Sequence, residues 1–260
     1  MYNPTQIIDE DLLYPSEDGK PMAANTEHFN WIVLLKENLD ALFADREDVL
    51  VVGDVFWYPV RSQLIAPTAP DVMVAFGRPK GKRKSYRQWR EENIAPQVVF
   101  EILSPSNDPD EMSRKFEFYQ QYGVEEYYTY NLETHDFDVW LRRRHRLVPV
   151  RRTNGWFSPR LGIRFELSHG VLEVFYPNGE KFLTTIEMIQ RQKAAEQFAE
   201  QERQIAEQER QIAEQERQIA EQERQIAERE KLRADSSEQQ LQQLMAALRD
   251  RGINPEELLN

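Results

Sequence analysis

Apolar and polar positions along the first 185 residues switch repeatedly between a helical and a two-residue period. "TEHFNWIVLLKENLDALF" (26–43) places its apolar residues three and four apart, with Thr26 as a helix-opening residue, and predicts a helix. "VLVVGDVFWYPV" (49–60) is β-branched and aromatic and predicts a strand ending at Pro59. "PDVMVAF" (70–76) and "QVVFEIL" (97–103) predict two further short strands. "DEMSRKFEFYQQY" (110–122) predicts a helix with Met112, Phe116 and Tyr119 on one stripe, stopped by Gly123. "EEYYTYN" reads as a strand and "DFDVWLRRRHRLVPVRR" as a hairpin. Ser104, Pro105 and Ser106 turn the chain out of a strand. The order is helix, three strands, helix, strand, then more strands, which implies an α/β fold with a mixed sheet flanked by helices.

Past residue 190 the pattern changes. "QERQIAE" repeats four times from Gln201 to Glu228, a heptad with one Ile per repeat at 205, 212, 219 and 226. With Ile at one seam position, Gln falls at the other, so the seam is too polar for a permanent coiled coil. Two readings remain, a weakly self-associating helix and a lone helix held by charge pairs such as Arg203 with Glu207. Leu241, Leu244, Met245 and Leu248 restore an apolar stripe before Gly252 and Pro255 end the helix. The expected organisation is a globular domain, 1–185, and a helical tail, 186–260.

Composition narrows the chemistry. The chain holds no cysteine and four histidines, which excludes disulfides, a thiolate nucleophile and Cys-based zinc sites. Any metal must sit mainly on carboxylates. The sequence has neither a leader-like segment nor an apolar run long enough to span a bilayer, so a cytoplasmic protein without membrane contact is expected. A net charge of −12 argues against a general nucleic-acid coat. It leaves room for local basic patches. Arg78–Arg90 carries seven Lys/Arg and no acid, so Lys80, Lys82, Arg83 and Lys84 are candidate DNA contacts, with a solvated loop as the plain alternative.

Glu101 sits in the middle of an apolar strand, where a bare carboxylate costs several kcal/mol. It needs a cation. Asp71 opens the preceding strand, and a divalent ion with oxygen ligands satisfies both acids. Lys115 flanks the sheet-facing stripe of the next helix. Singly, Asp71 reads as a turn residue after Pro70, Glu101 as half of a structural ion pair, and Lys115 as an ordinary amphipathic lysine. Together they form the set that metal-assisted phosphodiester hydrolysis uses: carboxylates to hold Mg²⁺ or Mn²⁺ and a cation beside the attacking water.

"PDVMV", "FEILSPSN" and "EMSRKFEFYQQYGVEEYY" resemble the Uma-two family, restriction-endonuclease-like proteins of the PD-(D/E)XK nuclease superfamily that abound in cyanobacteria; the likeness spans roughly residues 20–185. It implies an αβββαβ core, a DNA substrate, and Asp71 and Glu101 as the two motif acids. The superfamily lysine normally stands two residues after the second acid, where this chain has Leu103; the resemblance moves that role to Lys115. It also implies a backbone ligand at Ile102 and an accessory acid at Glu27, with His28 as the alternative. The expected function is a metal-dependent DNA endonuclease acting as a weak homodimer, partly through the tail. The rival is a catalytically inactive nuclease-fold scaffold that uses the C-terminal helix to bind a partner.

Overall fold

The computed structural model describes residues 10–16, 25–104 and 107–252. Pro105, Ser106 and Pro255 lie outside them. The chain divides into two units, Met1–Met188 and Ile189–Asn260. Helices α1 (Glu10–Leu13) and α2 (Thr26–Leu42) precede strands β1 (Val49–Gly53), β2 (Trp57–Tyr58), β3 (Val72–Phe76), β4 (Tyr86–Arg87) and β5 (Val98–Leu103). Helix α3 (Pro109–Tyr122) leads to β6 (Glu126–Asn131), β7 (Phe137–Arg143) and β8 (Arg146–Pro149). Then come β9 (Trp156–Phe157), β10 (Arg164–Ser168), β11 (Val171–Phe175) and helix α4 (Thr185–Asp250).

The main sheet runs β1-β3-β5-β6-β7-β8, antiparallel except where β5 and β6 pair in parallel around the crossover helix α3. From α2 to β6, leaving aside the β2/β4 ribbon, the elements follow the expected αβββαβ order. Alternation along the strands sorts side chains between two cores. Val72, Val74, Val98, Phe100 and Ile102 face α2 with Ile32, Leu35 and Leu39, whereas Met73, Ala75 and Val99 face α3 with Tyr119. By the same period, Asp71 and Glu101 fall on the α3 side. A three-stranded sheet, β11-β10-β9, which the sequence reading did not resolve, adds Phe165, Leu172 and Val174 to the first core.

Two local expectations are corrected. Asn25, not Thr26, caps α2, its Oδ1 accepting the His28 N–H at 2.8 Å. The run from Val49 to Pro59 is not one strand. It breaks after Gly53, where Asp54 takes a left-handed φ of 49° and its N–H reaches the carbonyls of Pro70 and Asp71. A side chain at Gly53 would meet the Asp71 carbonyl at 3.1 Å, so the close approach of β1 to the start of β3 requires glycine there. By contrast α3 ends as expected, with Gly123 at φ 101°.

In the second unit α4 is helical throughout to Asp250, and Ile205, Ile212, Ile219 and Ile226 are all exposed. Gln204, Gln211, Gln218 and Gln225 each donate to the glutamate one turn earlier, at 3.2–3.4 Å. These i,i+4 bonds support a solvated helix. No helix among the described residues is long and apolar enough to cross a membrane.

Candidate active site

Glu101 is 1% exposed and receives hydrogen bonds on both oxygens. Lys115 Nζ donates to Oε2 at 2.8 Å, and the Tyr119 hydroxyl donates to Oε1. Lys115 and Tyr119 are four apart on α3, so one helical face delivers both donors. Lys115 also reaches the Ala69 carbonyl at 3.2 Å, and Tyr119 stacks on the buried Trp57. Burial pushes the Glu101 carboxyl up to about 7; Lys115 pulls it back down and the nearby Asp71 charge adds to the rise. Burial would lower the Lys115 ammonium, but Glu101 and Asp71 outweigh it and the net shift is upward.

Asp71 is 8% exposed, and both described hydrogen bonds to its side chain fall on Oδ2: the Ile102 N–H at 2.6 Å and His28 Nε2 at 3.0 Å. At Ile102 the group that meets Asp71 is the backbone amide. His28 is delivered from the first turn of α2 by the Asn25 cap. Desolvation lowers its pKa, but the hydrogen bond and charge of Asp71, with Glu101 behind, turn the net shift upward. Asp71 and Glu101 therefore have two protein partners beside them, the Lys115 ammonium and the His28 imidazole ring. The ion pair with Lys115 is the alternative that the sequence left open for Glu101.

Asp71 and Lys115 line the inner end of a cleft of about 700 Å³. One wall is α3, through Glu111, Arg114, Phe118 and Tyr122; the other is the segment from Asp54 to Ala69. Among the described residues no group of three or more His, Asp or Glu side chains is arranged as a metal cage. The donor set still suits a hard ion such as Mg²⁺, which is held through one or two carboxylates and keeps several waters.

The other expected residues lie elsewhere. Glu27 is exposed, and its neighbour His28 takes the place beside Asp71. Lys80 Nζ donates to the carbonyls of Phe43 and Ala44, at the opposite end of α2 from His28, about 22 Å along the helix. Arg83 is bound to Glu91 at 2.7 Å and Lys84 to Asp11 at 2.8 Å, while Lys82 is exposed. The structure does not bring these cations to Asp71, because the segment leaves from the far end of β3. Tyr119 and His28 are the site residues that sequence reasoning undervalued. Tyr119's place four residues after Lys115 on the same stripe was the available signal.

A mixed sheet with an αβββαβ order, with Asp71 and Lys115 at a cleft and Glu101 buried behind Lys115, is a nuclease-like α/β fold. The family whose profile matches is Uma2, described as "Putative restriction endonuclease", over residues 18–174, and the chain belongs to it. That membership points to a hydrolytic enzyme. Among solved structures, the chain is similar to a putative nuclease belonging to DUF820 from Anabaena variabilis ATCC 29413, at 12% identity, 53% coverage of this chain, 75% of that one and a TM-score of 0.40. No curated protein matches the chain.

Proposed function

We propose that the chain is a divalent-metal-dependent DNA endonuclease that hydrolyses phosphodiester bonds at this cleft. The domain responsible is 1–185, and 186–260 is an accessory helical tail. The observation that most supports the reading is the meeting of Asp71, Glu101 and Lys115, from two adjacent strands and the crossover helix, with Asp71 and Lys115 lining a cleft and Glu101 buried behind Lys115. Asp71 and Glu101 would hold Mg²⁺ or Mn²⁺, which supplies Lewis-acid polarisation of a phosphoryl oxygen and a more acidic bound water. Lys115 is placed to stabilise charge that develops on the phosphate. His28 and the Ile102 amide fix Asp71, and Tyr119 fixes Glu101, so that neither carboxylate rotates freely. Burial pushes the Glu101 carboxyl up to about 7 in the metal-free protein, so metal binding near neutral pH would displace a proton from it.

DNA is the proposed substrate and the cytoplasm the proposed location. The exposed Ile line of α4 supports weak homodimerisation through the tail, which would set two active centres on one DNA molecule. The scaffold reading draws on a different observation: Glu101 is already paired with Lys115 and Asp71 with His28, as a purely structural cluster would be. Titration of Mn²⁺ into wild type and Asp71→Ala, followed by calorimetry, separates the two. The nuclease reading expects saturable binding that Asp71→Ala weakens at least about tenfold; a scaffold shows the same weak, nonspecific uptake in both.

A further inference from the structure

Among its charged and polar groups the cleft also carries an aromatic and aliphatic strip. On α3, Phe118 and Tyr122 stand one and two turns from Lys115, about 4.5 and 10 Å along the axis. Their ring centroids are 4.7 Å apart, and Phe118 is braced edge-on against the buried Trp57 at 5.1 Å. Across the cleft, Leu64 is 94% exposed with Ile65 beside it. An isoleucine and a leucine presented to solvent opposite two aromatic rings form a slot for a flat apolar face.

The charged lining is net acidic: Asp54, Asp71, Glu111 and Glu117 stand against Arg114 and Lys115, and Lys115 already bonds Glu101, so the densest phosphate array, that of a duplex, is penalised most. Duplex DNA brings one phosphate charge per ~1.7 Å of axis and needs a matching row of cations. Here the conspicuous cations of Arg78–Arg90 are held on internal acids. Glu101 and Asp71 are also nearly buried, so the reacting phosphate has to enter the cleft. Its volume of about 700 Å³ is that of a small-ligand pocket, too small for a double helix. A single strand can thread it, because unpaired bases have free faces that stack on aromatic rings at about tenfold or more in affinity per base.

We propose, resting on the nuclease reading above, that the substrate is unpaired DNA. The base beside the reacting phosphate stacks on Phe118 and Tyr122, and Leu64 and Ile65 close the slot from the other wall. Selectivity for single strands then follows from wall chemistry rather than from base-edge hydrogen bonds, and sequence preference is weak.

The test is fluorescence anisotropy with a labelled single-stranded oligonucleotide and the same strand annealed to its complement. The proteins are wild type, Tyr122→Leu and Leu64→Ser, each checked by thermal melting; Leu64→Ser alters only an exposed side chain and leaves the fold alone. The single strand is expected to bind wild type at least about tenfold tighter than the duplex. Tyr122→Leu should weaken single-strand binding about tenfold and Leu64→Ser about threefold, with duplex binding unchanged. Equal or tighter duplex binding, or single-strand affinity unmoved by either substitution, overturns the proposal. A Mn²⁺-dependent cutting assay on linear duplex and single strand separates it from the reading beneath. Cutting of duplex at the wild-type rate by both variants removes the unpaired-DNA proposal and keeps the nuclease. Variant-sensitive single-strand binding without any cutting keeps the slot and removes the nuclease.

Discussion

Glu91 and Glu101 are both buried acids facing cations, and their carboxyls shift in opposite directions. Glu91, 9% exposed, lies between Arg83 at 2.7 Å and Arg78 at 3.0 Å. Burial pushes its carboxyl up, but the two guanidiniums outweigh that and hold it below the usual range. Glu101 has one ammonium, with the charge of Asp71 opposing it, and burial wins. An acid with more positive charge than it needs is a clasp. An acid with less is one that can still take up a proton or a cation. The basic segment therefore folds inward as structure, with Arg87 reaching Asp11 and Arg90 reaching Glu10, whereas the inconspicuous Lys115 serves the cleft.

The sharpest break between the two acids should come from removing their cations. Lys115→Met is expected to lower Mn²⁺-dependent cleavage at least about a hundredfold, the usual scale for losing one preorganised stabilising group. Arg78→Met should leave cleavage within about twofold while costing about 2 kcal/mol of stability, less than a fully broken buried pair because Arg83 still holds Glu91. Initial rates and urea melts on the two variants check both arms.

A second contrast is in pH. The Glu101 carboxyl is raised from 4.5 to about 7 in the folded protein, so the folded state binds more protons across that window and stability falls as pH rises through it. The raised His28 pKa acts in the same direction: its contribution is full below about 6.5 and is lost as pH rises through the folded value. Glu91, lowered, contributes above about 4.5 and loses that contribution as pH falls through its folded value. Urea melts across pH 4 to 8 should show Glu101→Gln gaining on wild type as pH rises. They should show Glu91→Gln gaining on wild type only as pH falls to the acid end.

Replacing Ile205, Ile212, Ile219 and Ile226 by Ser should shift sedimentation of the full chain modestly towards monomer while Mn²⁺ binding persists. The smallest effect is expected from Lys82→Ala, within about 0.5 kcal/mol in stability and with the salt dependence of DNA binding unchanged.

The strands, α3 with its glycine stop and the αβββαβ order were legible because each rests on local periodicity and turn chemistry. Glu101 was legible as a site because an acid in an apolar strand demands a partner within the fold. Lys115 was readable as its companion from the stripe on α3, but the contacts around the pair were not. The roles of Lys115, Tyr119 and His28 depend on which helix face meets the sheet and on where α2 begins, and both are tertiary facts. The partners of the Arg78–Arg90 run were hidden for a similar reason. Glu10 and Asp11, which hold Lys84, Arg87 and Arg90, lie more than seventy residues away. The break at Asp54 was hidden because its left-handed turn is fixed by the carbonyls of Pro70 and Asp71, not by its own neighbours.

The central claim is that the under-neutralised pair at Asp71 and Glu101 is a hydrolytic centre. Its most direct test is Mn²⁺-dependent cleavage of single-stranded and plasmid DNA by wild type and by Glu101→Gln, with melting curves to confirm that both are folded. Gln keeps the shape of the side chain but ligates a hard cation poorly and cannot exchange a proton near pH 7. The account predicts that wild type cuts and that folded Glu101→Gln does not, a loss of at least about a hundredfold. Wild-type cutting by the folded variant would contradict it.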